Sequence, residues 1–153
     1  MSRQFLFTLI ATGLAAGLAT PVAADSPAED AQKYRVSVMT SLRGHIGAAS
    51  MIVRGLVEDG GYLQKHADGL ASSASELQRL FPAGSAVGDS EALPVIWEQP
   101  EEFARAIDEA EAATARLQKV VAEGGDRAAI AAAFKDVGGA CRGCHDRFRK
   151  DDD

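Results

Sequence analysis

Five residues near the carboxyl end, Cys141-Arg142-Gly143-Cys144-His145, constrain this chain more than any other stretch. They contain both cysteines of the sequence and one of its three histidines. On a helix, Cys141 and Cys144 are three positions apart and share one face, and His145 follows Cys141 by one turn on that face. Cys-x-x-Cys-His is the signature for attaching c-type haem, with two thioether tethers and one imidazole ligand to the iron.

Three other uses of the cysteine pair compete with haem attachment. A reversible dithiol usually accompanies a βαβ pattern, which this sequence lacks. A structural disulfide would close only a very short loop and would add little to the stability of a chain this long. A zinc site would need two further ligands, and only His45 and His66 are left as histidines. We therefore predict one covalent haem c, with Cys141 and Cys144 as tethers and His145 as the proximal iron ligand.

The first 24 residues have the features of a secretory signal peptide. Arg3 gives a positive start, residues 5–19 are apolar, and Val22-Ala23-Ala24 places small residues ahead of a cleavage point before Asp25. An uncleaved anchor is the alternative, but the apolar run is short for a span and no later segment is apolar enough to cross a bilayer. We expect export to the periplasm, with residues 25–153 as one domain. Outside the reducing cytosol a cysteine pair would be oxidised unless haem attachment consumed it.

The net charge of the chain limits the classes of partner that it can be expected to bind. Without residues 1–24 the sequence has 15 lysines and arginines against 22 acidic residues, a net charge of −7. Such a chain is a poor match for nucleic acid or for an anionic membrane surface. No catalytic triad, phosphate-binding loop or acid–base pair is evident in the sequence. We therefore expect redox proteins as partners, and we do not expect an enzyme.

Apolar residues recur at helical spacing in four runs, which predict an all-α chain. The first run begins at Ser26-Pro27 and ends at Asp59-Gly60-Gly61, and the second covers residues 63–81. The third begins at Pro100 and ends at Gly124-Gly125, and the fourth follows Asp126 and carries the haem motif on its apolar face. Residues 82–93 have the composition of a surface loop, and Trp97 lies in a short apolar island that we expect to cover the core. This pattern predicts an antiparallel four-helix bundle.

Residues 27–150 resemble the cytochrome c-prime family, the class II c-type cytochromes. Besides a haem motif on the last helix, followed by Asp146, Phe148 and Arg149, the resemblance rests on the segments Tyr34-Arg35, Met39, His45, Leu80-Phe81-Pro82 and Ile96-Trp97. It implies a four-helix bundle with one haem c and places Arg35 near a haem propionate. It also implies that a homodimer through the first two helices is an open alternative to a monomer.

The resemblance leaves the distal side of the iron undecided. Members with an apolar residue there are five-coordinate, and some bind NO or CO, whereas a low-spin branch of the cytochrome c-556 type uses a methionine as sixth ligand. Met39 stands at that position, so we predict a His/Met-ligated electron-transfer protein, with a five-coordinate NO- or CO-binding protein as the alternative. A methionine on an apolar helical face often only fills space. Met51, His45 and His66 are weaker candidates for the distal ligand.

Overall fold

The computed structural model describes residues 25–151, so the predicted signal peptide, residues 1–24, lies outside the described part of the chain. Five α-helices follow in order: α1 (Pro27–Val53), α2 (Tyr62–Ala74), the single-turn α3 (Val95–Glu98), α4 (Pro100–Ala122) and α5 (Arg127–Phe148). A 3-10 helix, Leu77–Leu80, lies between α2 and α3. The only β-type pairing between residues 25 and 151 is an isolated bridge of Ala92 with Arg149. The predicted all-α fold is confirmed.

The four long helices form the bundle. Helix α2 packs against both α1 and α4, α4 packs along α5, and α1 meets α5 through a smaller contact. The core is made of aliphatic and aromatic side chains from all four, including Val38, Leu70, Ile107, Leu117 and Val137. No helix within residues 25–151 is both long and apolar enough to span a bilayer.

Capping residues explain why the helices begin where the sequence predicts. Ser26 and Glu29 form a reciprocal capping box, in which each side chain accepts a hydrogen bond from the backbone N–H of the other. The Asp126 carboxylate accepts from the Ala129 N–H at 2.8 Å and starts the haem-motif helix. Pro100 occupies the first turn of α4, where its missing N–H costs nothing.

Two helices end earlier than predicted. Helix α1 stops at Val53, because Gly55 adopts φ 74° and the chain folds back with the Leu56 N–H donating to the Met51 carbonyl at 2.9 Å. The predicted helix over residues 63–81 is broken, since α2 ends at Ala74 and a 3-10 turn follows. At the break the Ser75 hydroxyl donates to the Ser72 carbonyl at 2.8 Å, a local bond that competes with helix continuation.

Trp97 lies where the sequence places it, half-buried on the core, with its indole N–H donating to the Phe81 carbonyl at 3.1 Å. This bond attaches α3 to the chain leaving the 3-10 helix. The apolar island therefore packs against the core, as the sequence predicts.

The turn between α4 and α5 tests this account of the fold. A Cβ on Gly125 would lie 2.9 Å from the Val120 carbonyl oxygen, and backbone cannot easily give way there. We expect Gly125→Ala to lower the free energy of unfolding by about 1–3 kcal/mol, measured by urea denaturation of the haem-loaded protein. Gly47→Ala is the matched control, because its Cβ would meet open space on α1 and should raise stability by up to about 1 kcal/mol. Equal effects of both substitutions would contradict the packing described.

Candidate haem-binding site

Helix α5 brings both cysteines to the core side of the bundle. Cys141 and Cys144 are half-buried free thiols, packed against the core one turn apart. Val137 before them and Phe148 after them are buried, so the predicted apolar face of α5 includes the motif. His145 is exposed and directly follows Cys144. One stretch of helix thus presents two sulfur atoms and an imidazole.

Burial sets the chemistry of the two thiols. It raises the pKa of Cys141, and it raises the pKa of Cys144 to about 11, outweighing the opposite effect of Arg147. Both groups are therefore protonated near neutral pH, which is unfavourable for a redox-active dithiol. Within residues 25–151, no cluster of three or more His, Cys, Asp or Glu side chains is placed to hold a metal ion, so a structural zinc site on this pair lacks the further protein ligands that would close it.

Met39 lies on α1, the helix that meets α5 across the bundle. Its side chain is half-buried and packs against the hydrophobic core. Met51, on the same helix, is 48% exposed. The two α1 methionines therefore occupy different environments, and only Met39 has the inward position that the predicted distal ligand requires.

His45 and His66 contact each other rather than the cysteine motif. Their Nδ1 atoms are 3.2 Å apart across the α1–α2 interface, with the ring planes tilted by 58°. Sequence reasoning treated the two residues separately and missed this pair. Both histidines are weaker candidates for the distal iron ligand in the sequence, and in the structure each has the other as its contact.

The Arg35 guanidinium holds the loop that links the 3-10 helix to α3. The side chain is only 5% exposed, and it lies over the Phe81 ring. Its Nη1 donates to the Leu80 carbonyl at 3.0 Å and to the Ser85 hydroxyl at 2.9 Å, and its Nη2 donates to the Ser85 carbonyl at 2.8 Å and to the Ser90 hydroxyl at 3.1 Å. Burial lowers the pKa of Arg35, but an arginine stays charged.

The same loop is attached to the end of α5. The Lys150 ammonium donates to the Ser90 carbonyl at 2.8 Å, and the Lys150 N–H donates to the Glu91 carbonyl at 2.9 Å. The Leu93 N–H donates to the Phe148 carbonyl at 3.0 Å. Residues 82–93 therefore connect Arg35 of α1 to the residues that directly follow the haem motif. The sequence indicated a loop here, but gave no sign of this connection.

Replacing Arg35 should loosen that connection. Arg35→Lys keeps the charge but loses the planar fork, which leaves buried carbonyl and hydroxyl oxygens without donors. We expect it to lower the free energy of unfolding by about 1–3 kcal/mol in urea denaturation of the haem-loaded protein. Arg43→Lys, at an exposed position of the same helix, should change it by less than about 0.5 kcal/mol. If the two variants unfold alike, Arg35 does not hold the loop.

Known proteins are similar to this chain in sequence and in fold. The family model described as cytochrome C' matches residues 30–149. A cytochrome c-554 of Cereibacter sphaeroides is 47% identical over 92 residues, covering 58% of this chain and 59% of that protein. The match thus spans less than two thirds of that relative's length. A cytochrome c' of Pararhodospirillum photometricum is 36% identical over 120 residues, covering 77% of this chain and 94% of that protein.

Solved structures agree with these relatives. A nitric oxide complex of a mutant cytochrome c prime from Alcaligenes xylosoxidans superimposes with a TM-score of 0.76 at 29% identity, covering 84% of this chain and 100% of that one. A cytochrome c' described as having ligand-controlled dimer dissociation gives a TM-score of 0.75 at 25% identity, over the same shares of the two chains. The predicted four-helix bundle is confirmed. This chain belongs to the cytochrome c' family, helical-bundle c-type cytochromes that carry one covalent haem c with its iron.

Proposed function

We propose that this chain is a periplasmic monohaem electron carrier whose iron is ligated by His145 and Met39. The observation that carries the proposal is the inward position of Met39 on α1, opposite the helix that bears the two thiols. A bound haem supplies a reversible ferric–ferrous couple. The chain supplies tethers, axial ligands and a surface that selects partners. Redox proteins are the proposed partners, and export depends on the signal peptide predicted for residues 1–24.

The two cysteines suit a covalent tether. Both thiols lie on the core side of α5, and both are free rather than joined in a disulfide. Because their pKa values are raised by burial, they are poor thiolate nucleophiles or metal ligands in the absence of haem. Thioether bonds would consume both groups and leave no reactive thiol on an exported protein.

His145 and Met39 form a pair of ligands with known consequences for the iron. A histidine opposite a methionine raises the reduction potential and suits electron transfer. His45 and His66 contact each other, and His145 directly follows Cys144, which supports His145 as the proposed proximal ligand. The competing role for Met39 is simple packing, since a flexible thioether readily fills gaps in a core.

The hydrogen bonds that Arg35 already makes limit its proposed contact with the haem. Three of its four terminal hydrogen bonds go to the loop and one goes to the Leu80 carbonyl of the 3-10 helix, so a contact with a haem propionate would fall to Nε–H. A guanidinium favours a carboxylate partner. We therefore propose that Arg35 orders the loop first and approaches a propionate with its remaining donor.

Capture of a diatomic gas is the second candidate function. It is favoured by one observation: a relative with this fold has been solved as a nitric oxide complex. A gas-binding protein needs a distal site that is vacant or easily vacated. The two functions therefore differ in whether the Met39 sulfur occupies the iron.

An optical spectrum of the haem-loaded ferrous protein distinguishes them. We expect sharp low-spin α and β bands in the wild type and their collapse to a broad high-spin spectrum in Met39→Ala, because the sixth ligand is removed. Met51→Ala is the matched control, a methionine on the same helix with an exposed side chain. It should leave the spectrum unchanged.

A broad high-spin spectrum in the wild type that Met39→Ala does not alter would contradict ligation. The gas-binding function would then take first place. Loss of the low-spin bands in Met51→Ala alone would show that Met51, and not Met39, is the sixth ligand.

We also propose a homodimer through α1 and α2. Within residues 25–151, the large apolar side chains that remain exposed lie on α1, at the start of α2 or between them: Tyr34, Val36, Met51, Leu56, Val57 and Tyr62. Their exposed fractions run from 45% to 59%, and burying this apolar surface against a second chain would stabilise a dimer. A family member with ligand-controlled dimer dissociation supports the formation of a dimer.

A charge placed on this surface should prevent association. We expect the haem-loaded wild type to elute as a dimer in size-exclusion chromatography with light scattering, and Val36→Glu to shift it to a monomer, since burial of an unpaired carboxylate is costly. Ala115→Glu, at an exposed position of α4, is the control and should remain dimeric. A monomeric wild type at high micromolar concentration would contradict the proposal.

A further inference from the structure

We propose that His45 and His66 form a binding site for a divalent transition-metal ion, separate from the haem iron. The two residues come from neighbouring helices, His45 from α1 and His66 from α2, and both are half-buried. Their Nδ1 atoms are 3.2 Å apart. The haem function leaves this pair without a role.

The distance between the two nitrogens matches a chelating pair. Two imidazole nitrogens bound to a tetrahedral zinc ion at about 2.0–2.1 Å lie about 3.3–3.4 Å from each other, close to the separation seen here. The hydrogen-bond distance shows that the two Nδ1 atoms face each other, so a turn of the rings would direct both at an ion beside the line that joins them. The ring that donates must also move its proton from Nδ1 to Nε2, after which both neutral rings offer a lone pair.

The helices hold one of the rings in place. The His45 ring lies directly over Gly69 of α2, where any Cβ would overlap it. The absence of a side chain at Gly69 therefore allows the close approach that brings His45 to His66. A ring fixed in this way loses little conformational freedom on binding an ion, which favours affinity.

The ligand set indicates the class of ion. Imidazole nitrogens suit zinc, copper and nickel rather than calcium or magnesium. Within residues 25–151 no third His, Cys, Asp or Glu completes a cluster, so water would fill the remaining positions and the ion would be exchangeable. The net charge of −7 after removal of residues 1–24 attracts cations to the protein.

Isothermal titration of the ferric haem-loaded protein with Zn²⁺ tests the site, since zinc exchanges no electrons with the haem. We expect one zinc ion per chain, and at least about tenfold weaker binding in both His45→Gln and His66→Gln, since even the loss of an outer-shell partner typically costs that much. Lys65→Gln is the matched control. Lys65 is an exposed neighbour of His66, and its ammonium lies over the Tyr62 ring. The variant keeps both imidazoles, so it should bind zinc like the wild type.

A zinc-edge X-ray absorption measurement on the wild type keeps the test independent of how the variants fold. Two imidazole nitrogens at about 2.0–2.1 Å from zinc would support the site. Oxygen ligands alone, no zinc binding by the wild type, or full binding in either histidine variant would overturn the proposal.

Discussion

The buried Arg35 guanidinium and the loop it holds connect the helix that bears the haem motif to the helix opposite. Direct contact between α1 and α5 is limited compared with the α1–α2, α2–α4 and α4–α5 pairs. Residues 82–93 complete the connection, because Ser90 accepts from Arg35 through its hydroxyl and from Lys150 through its carbonyl. Each hydrogen bond adds only modestly to stability, but leaving the buried guanidinium without acceptors would cost much more free energy. The hydrogen bonds of Arg35 are therefore expected to be kept together. Met39 follows Arg35 by one turn on α1, and Lys150 follows the cysteine motif, so the connection joins the two helices that carry the candidate site.

The residues of the candidate haem site come from two helices, α5 and α1. On α5 the thiols are half-buried, and burial raises both pKa values, which keeps the two sulfur atoms protonated near neutral pH. On α1 a methionine lies inside the bundle while another lies at the surface. The Cys-x-x-Cys-His motif is the general signature of c-type haem attachment. In the proposed function, the environment of Met39 distinguishes electron transfer from gas binding.

Local chemistry determined what the sequence could predict. The helix starts at Ser26, Pro100 and Asp126 were readable because a cap involves residues only a few positions apart. The end of α2 could not be predicted, because the apolar periodicity continues beyond it. The helix ends where the Ser75 hydroxyl bonds a backbone carbonyl and competes with the helical hydrogen bonds.

The contacts between distant residues were also out of reach. The Cys-x-x-Cys-His motif is contiguous and identified the cofactor, whereas the His45–His66 pair and the Arg35–Ser90 bond join residues 21 and 55 positions apart. Such contacts depend on helix rotation and on how closely helices approach, as at Gly69, and no residue pattern specifies these. The sequence could therefore name Met39 as a ligand candidate, but its inward position needed the structure.

A crystal structure of the ferrous haem-loaded protein would test the central claim most directly. The account predicts continuous density from the iron to the Met39 sulfur on one side and to the His145 imidazole on the other. An iron bound by His145 alone, with the Met39 side chain packed beside the haem and out of bonding distance, would contradict it.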